Sequence, residues 1–147
     1  MPVIVIGADT ALGVLVVERL AASDREVRAF VSSPEVGEHL RQLGIKVALG
    51  DLSDQSHVAA ACTNCFSVVL ITEAATDGRE LSFAKSPDQV LAGWAAAIRE
   101  SRAKRAIWVG DGANPVSGAS EEAVVAATMP VDEIAEKVAA LDDAAAI

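Results

Sequence analysis

The sequence predicts an α/β fold, a doubly wound parallel sheet of about five strands wrapped by helices. Three observations carry this expectation. Short β-branched runs alternate with longer helical patterns along the chain. Several of the runs are apolar almost throughout, as strands buried on both faces are. The first run, V-I-V-I at residues 3–6, stops at Gly7 and reaches Gly13 just as an amphipathic helix begins. At 147 residues the chain suits one domain, residues 1–147, able to bury roughly two thirds of its unfolded surface in one core.

Taken in order, the predicted strands are Val3–Ile6, Val27–Val31, Lys46–Leu49, Ser67–Thr72 and Ala106–Val109, each rich in Val, Ile or Phe and bounded by turn formers. The predicted helices between them are Leu12–Ala22, Pro34–Leu43, Asp54–Ala61, Pro87–Ser101 and Val131–Leu141. Their ends carry fitting chemistry. Asp54 precedes a helical run it can cap, Ser86 precedes a proline suited to a first helical position, and Gly44 follows E-H-L-R-Q-L where a left-handed stop is needed. Right-handed crossovers between five parallel strands favour the order 3-2-1-4-5. The segment V-S-G-A-S-E-E-A-V-V-A-A-T-M-P at 116–130 is assigned no element. Its small residues, with those of the fourth helix, suit close packing against a second copy, so a homodimer is expected.

The formal net charge is −9, which argues against a surface for nucleic acid, since a polyanion needs a basic field. Arg99, Arg102, Lys104 and Arg105 form the one basic cluster and are read as the solvated end of a helix, where cations suit the dipole. M-P-V-I-V-I lacks a charged leader region, and no apolar run approaches the roughly 20 residues of a membrane span. A cytoplasmic protein without membrane contact is therefore expected. Cys62 and Cys65 share a C-x-x-C spacing but close a helix rather than open one, so they are read as structural. His39 and His57 are isolated, and no metal site is predicted.

A glycine turn between a first strand and a first helix points unsatisfied backbone N–H groups and the positive end of the helix dipole at one place, which suits a pyrophosphate. Two glycines at a tight strand-to-helix turn also serve packing alone. The spelling G7-A8-D9-T10-A11-L12-G13 resembles the G-x-x-G-x-x-G of the atypical short-chain dehydrogenase/reductases, particularly their NmrA-like and NAD(P)H-binding members. Thr10 stands where the family has its middle glycine. The resemblance implies a Rossmann-type fold and a nicotinamide dinucleotide whose pyrophosphate lies on Gly7, Thr10, Ala11, Leu12 and Gly13. Thr10 must then either push the cofactor away or hydrogen-bond it itself.

The segment I-K-V-A-L-G-D-L-S-D at 45–54 looks like the family's third strand and the turn after it. The resemblance implies that Asp51 approaches the adenine amino group and that Leu52 packs near the ring; alternatively, Asp51 simply closes a strand. By the same likeness the end of S-V-V-L-I-T places Ile71, Thr72 and Glu73 beneath the cofactor, with Thr72 towards the nicotinamide. At the end of the second strand an acid would mark NAD and a cation NADP, and the sequence offers only Ser32 and Ser33. Two hydroxyls can bind phosphate oxygens, which leans to NADP over NAD with low affinity; alternatively, Ser33 and Pro34 only start a helix.

For catalysis the family resemblance is partial. The chain has no tyrosine, so the Tyr-x-x-x-Lys acid of many short-chain dehydrogenases is excluded. NmrA-like reductases can dispense with it, because the cofactor carries the hydride chemistry; such a site would lie near Thr72, Gly110 and Asp111. The likeness is good to about residue 113 and loose beyond it, as though a substrate-covering lobe were missing. Three functions remain open: a dinucleotide binder with weak or no catalysis, in redox sensing or regulation; an NAD(P)H-dependent reductase of small electrophiles; and a scaffold that has lost the cofactor.

Overall fold

The computed structural model describes residues 2–147. Six strands lie in one sheet, β1 (Val3–Ile6), β2 (Val27–Val31), β3 (Lys46–Leu49), β4 (Ser67–Ile71), β5 (Arg105–Val109) and β6 (Glu121–Val125). All are parallel, in the order β3-β2-β1-β4-β5-β6. The helices are α1 (Ala11–Ala21), α2 (Pro34–Gln42), α3 (Gln55–Cys62), α4 (Pro87–Ser101) and α5 (Val131–Asp143), with a single 3-10 turn at Thr72–Ala75. This is a Rossmann-like arrangement, and each of the five predicted strands and five predicted helices is present within one or two residues of its predicted ends.

Alternation along the strands builds two cores. Val3 and Val5 of β1, with Val69, Ile71, Ile107 and Val109, face α1, α2 and α5. Ile4 and Ile6, with Val68, Leu70, Ala106 and Trp108, face α3 and α4. Both faces of β1, β4 and β5 are thereby buried, which is why their sequences show apolar runs rather than a polar alternation. On α1 the stripe Leu12, Val16, Val17 and Leu20 is buried, each side chain contributing about 2 kcal/mol of transfer free energy.

The caps follow the sequence signals. Asp54 accepts from the His57 N–H, Ser86 from the Gln89 N–H, and Ser33 from the Val36 N–H ahead of Pro34. Gly44 takes a φ of +85° just beyond α2, a conformation that costs other residues a Cβ clash.

Two features depart from the expectations. Residues 121–125 form a sixth strand, paired with β5 from Arg105↔Glu121 to Val109↔Val125. In E-E-A-V-V only Val125 is buried, so the segment lacks the apolar run that marks the other strands. Arg105, assigned to a solvated cluster, is instead wholly buried. Its guanidinium donates to the carbonyls of Leu141, Asp142 and Ala144 at the end of α5, binds Glu121 and lies over the Phe66 ring at 4.9 Å. It satisfies helix-end carbonyls that would otherwise be orphaned, and so ties α5 to the sheet.

Candidate functional site

Between β1 and β4 the chain reverses its direction of winding, and the crevice outside the carboxyl ends of those strands is where open α/β sheets take ligands. The glycine turn lies there. Gly7 has a φ of +83°, and a Cβ on it would come within 2.7 Å of the Ala74 Cβ. A Cβ on Gly13 would come within 2.7 Å of the Ala8 Cα and closer still to the Gly7 carbonyl oxygen. Both glycines are thus required by close approach, Gly13 between α1 and β1. Among the described residues the Ala11 and Leu12 N–H groups, the first two of α1, have no hydrogen-bond acceptor. They are the orphan donors that a pyrophosphate fits.

Thr10 resolves the question raised by its place in the motif. It is the N-cap of α1: its Oγ1 accepts from the Gly13 N–H at 2.9 Å and its hydroxyl leans on the Gly7 carbonyl at 3.4 Å. With only 5% of the residue exposed, the hydroxyl is spent inside the turn, where it holds the two glycines together.

The end of β2 holds an ion cluster. Asp9 Oδ2 accepts from the Ser32 N–H at 2.9 Å, the Ser33 N–H at 3.1 Å and the Ser32 hydroxyl at 3.1 Å. Its Oδ1 accepts from Arg79 Nη1 at 2.8 Å. Arg79 also donates to the Ser32 hydroxyl at 2.9 Å and to Asp77. Burial alone would push the Asp9 carboxyl up, but the Arg79 guanidinium and the two serine N–H groups more than offset it and hold it below the usual range. Asp77 is lowered by the same guanidinium, and Arg79 is raised by its Asp77 and Asp9 partners. Ser32 and Ser33 are therefore at the predicted place, but both N–H groups and the Ser32 hydroxyl already donate to Asp9, while Ser33 Oγ accepts from the Val36 N–H as the cap of α2.

Asp51, at the end of β3, also meets the chain from above. Its Oδ1 accepts from the Ser53 N–H at 2.8 Å and its Oδ2 from the Ser82 N–H at 2.8 Å, while the Phe83 N–H donates to Ser53 Oγ. These contacts hold the Asp51 carboxyl below its ordinary value against the upward push of burial. Leu52 has no exposed surface. It packs in the core beside Trp94, whose Nε1 donates to the Leu52 carbonyl at 2.8 Å, so its side chain does not face the crevice. The segment 76–86 thus straps the β2–β3 end of the crevice, touching Asp9, Ser32, Asp51 and Ser53.

The other end opens into a cleft of about 510 Å³ lined by Leu12, Thr72, Glu73, Gly110, Asp111 and Asn114 among others. Thr72 Oγ1 donates to the Val109 carbonyl at 2.9 Å, joining the ends of β4 and β5. A Cβ on Gly110 would collide with that hydroxyl, so a serine there would have to turn the Thr72 hydroxyl away from the Val109 carbonyl. Asp111 accepts from the Ala127 N–H at 2.9 Å. No tyrosine, lysine, histidine or cysteine lines the cleft.

Sequence reasoning missed Asp9, Arg79 and Ser82. Asp9 stood within the quoted motif, and an acid beside a glycine turn was its signal; Arg79 and Ser82 lie in an irregular segment with none. The remaining candidates are structural. Cys62 and Cys65 are buried and form no disulfide, and burial pushes the Cys62 thiol up to about 12. His57 stacks edge-on against Phe30. Among the described residues no group of three or more His, Cys, Asp or Glu is placed to hold a metal, and no helix is long and apolar enough to cross a membrane.

A family model described as NAD(P)H-binding matches residues 7–145. No curated protein sequence matches. Among solved structures, an NADPH-dependent quinone oxidoreductase of Escherichia coli complexed with NADPH aligns with a TM-score of 0.60 at 20% identity, over 74% of this chain and 36% of that one. An anaerobillin reductase of Escherichia coli O157:H7 aligns with 0.59 at 24% identity, over 76% and 51%. The triphenylmethane reductase of a Citrobacter species complexed with NADP(H) aligns with 0.61 at 19% identity, over 95% and 45%. The chain spans about a third to a half of the length of these proteins, and the likeness is one of fold.

Proposed function

The chain belongs to the NAD(P)H-binding family, and on that premise we propose that it takes a nicotinamide dinucleotide along the crevice and acts chiefly as a binder, in redox sensing or regulation, with weak or no catalysis. The observation that carries this is the glycine turn, where two positions without room for a Cβ adjoin two free N–H groups. Ala11 and Leu12 would hold the pyrophosphate, with Gly7, Thr10 and Gly13 shaping its seat. Ser32 and Ser33 would border the ribose, Asp51 would accept from the adenine amino group, and Thr72 would lie beside the nicotinamide, while the Leu52 side chain, wholly buried, stays in the core. When bound, the cofactor supplies hydride chemistry; the protein's part is to bind and orient it.

The lining of the cleft beside Gly110 supports the weak-catalysis reading. Its ionisable groups are the carboxylates Glu73, Asp88 and Asp111, with no tyrosine, lysine, histidine or cysteine beside them, so the tyrosine acid of many short-chain dehydrogenases has no substitute of its own kind there. A second reading, an NAD(P)H-dependent reductase of small electrophiles, draws on the similar folds, which include a quinone oxidoreductase and a triphenylmethane reductase. In that case the proton comes from water entering the cleft.

Calorimetric titration with NADH and NADPH, followed by turnover with quinone and flavin acceptors, separates the readings. Micromolar binding without acceptor-dependent oxidation is the expected result. Rapid oxidation establishes the reductase, and absence of binding on folded protein leaves only the scaffold.

A further inference from the structure

The pocket at the end of β2, about 390 Å³, is lined by Asp9, Ser32, Ser33, Asp77, Gly78 and Arg79. Its charge does not balance: two carboxylates face one guanidinium. The N–H groups of Ser32 and Ser33, which would be the natural donors to a phosphate here, already end on Asp9 Oδ2. The Asp9 side chain is itself only 3% exposed beneath Arg79, and its carboxyl is held below the usual range, so it is an anion at any pH near neutral. A carboxylate offers about four acceptor sites; three bonds end on Oδ2 and one, from Arg79, on Oδ1.

These facts decide what can enter. A ribose hydroxyl carries a proton and can donate to Oδ1, in place of the Arg79 N–H or beside it. A 2′-phosphate near neutral pH is an acceptor with almost two negative charges, and has nothing to offer a carboxylate but repulsion. In dinucleotide-binding folds the acid that meets the 2′-hydroxyl stands at the end of the second strand. Here that strand ends in two serines, and Asp9 reaches the same place from the first turn.

Resting on the dinucleotide reading above, we propose that Asp9 selects the cofactor: it accepts from the adenosine ribose and excludes a 2′-phosphate, so that the chain binds NAD(H) in preference to NADP(H). The lean to NADP that two serine hydroxyls give by themselves is reversed by the carboxylate they hold. Arg79 positions Asp9 and is not free to serve as the cation for a phosphate, because Asp77 and Asp9 already engage it on both sides.

The test is calorimetric titration of the whole chain with NADH and NADPH, for wild type, Asp9→Ser, Asp77→Asn and Arg79→Gln. Wild type is expected to bind NADH about tenfold or more tightly than NADPH, the scale that like-charge juxtaposition sets. Asp9→Ser keeps a small acceptor for the serine N–H groups and should close that gap, chiefly by strengthening NADPH. Asp77→Asn leaves the ribose contact intact, removes the surplus charge and should narrow the gap part of the way. Equal affinities in wild type, or a gap that Asp9→Ser leaves unchanged, overturn the proposal. So does tighter NADPH binding lost selectively in Arg79→Gln, which would make Arg79 the phosphate ligand. Failure of both nucleotides to bind folded protein overturns the dinucleotide reading itself, and this proposal with it.

Discussion

Thr10 is the residue on which the turn's history as a phosphate cradle can be tested. Its hydroxyl caps α1 while its Cβ stands where a glycine would let the backbone nearer a phosphate. Since glycine is itself a fair N-cap, Thr10→Gly should cost only a few tenths of a kcal/mol, against about 1 kcal/mol for Thr10→Ala. It should tighten dinucleotide binding by about threefold or more through closer approach. Chemical denaturation of both variants, with titration of the first, checks the pair of statements.

Asp9 makes a second residue-scale prediction, in pH. Its folded-state pKa lies below the unfolded value of about 3.9, so its contribution is fully present above about pH 4 and is lost as pH falls through the folded value. Asp9→Asn should therefore be about 2 kcal/mol less stable than wild type at pH 7, the scale of charge-assisted hydrogen bonds. The difference should shrink in urea unfolding at pH 3. A difference that is the same at both pH values would show that the carboxylate's charge is not what matters.

Among the elements, α5 depends on one side chain. Arg105 on β5 donates to three carbonyls at the end of α5 and pairs with Glu121 on β6, so Arg105→Ala leaves buried acceptors and a carboxylate without a partner. The expected cost is about 3–5 kcal/mol, with amide exchange accelerating first in residues 131–143. Uniform exchange across the sheet would place the loss elsewhere.

The same elements show what the sequence could and could not reveal. β1 to β5 were legible because burial on both faces demands apolar runs. β6 was not, since in E-E-A-V-V the register with β5 buries only Val125 and no run is required. The strap at 76–86 was illegible for a different reason: Arg79 meets Asp9 across 70 residues, and its approach depends on how a segment without regular structure settles. Ser32 and Ser33 were found by position, but their engagement by Asp9 is a tertiary fact.

At the scale of the whole molecule, the winding order brings five features to the carboxyl ends of the strands: the glycine turn, the Asp9 cluster, Asp51, the Thr72–Val109 link and the cleft beside Gly110. The fold was readable from period and punctuation, and the line of the crevice followed from the fold. Which groups in it remain free was not readable, because hydrogen-bond partners chosen across the crevice decide that. The free donors fall at Ala11 and Leu12, whereas the serines and Asp51 are engaged by the chain itself.

The measurement that tests this account most directly is a two-dimensional amide NMR titration of the isotope-labelled chain with NADH. The account predicts that the largest shifts fall on residues 7–13, above all the Ala11 and Leu12 N–H groups, with further shifts at Ser32, Asp51 and Thr72. A spectrum of folded protein that does not change, or changes confined to the β6 edge, would contradict it and leave the glycine turn with packing as its sole purpose.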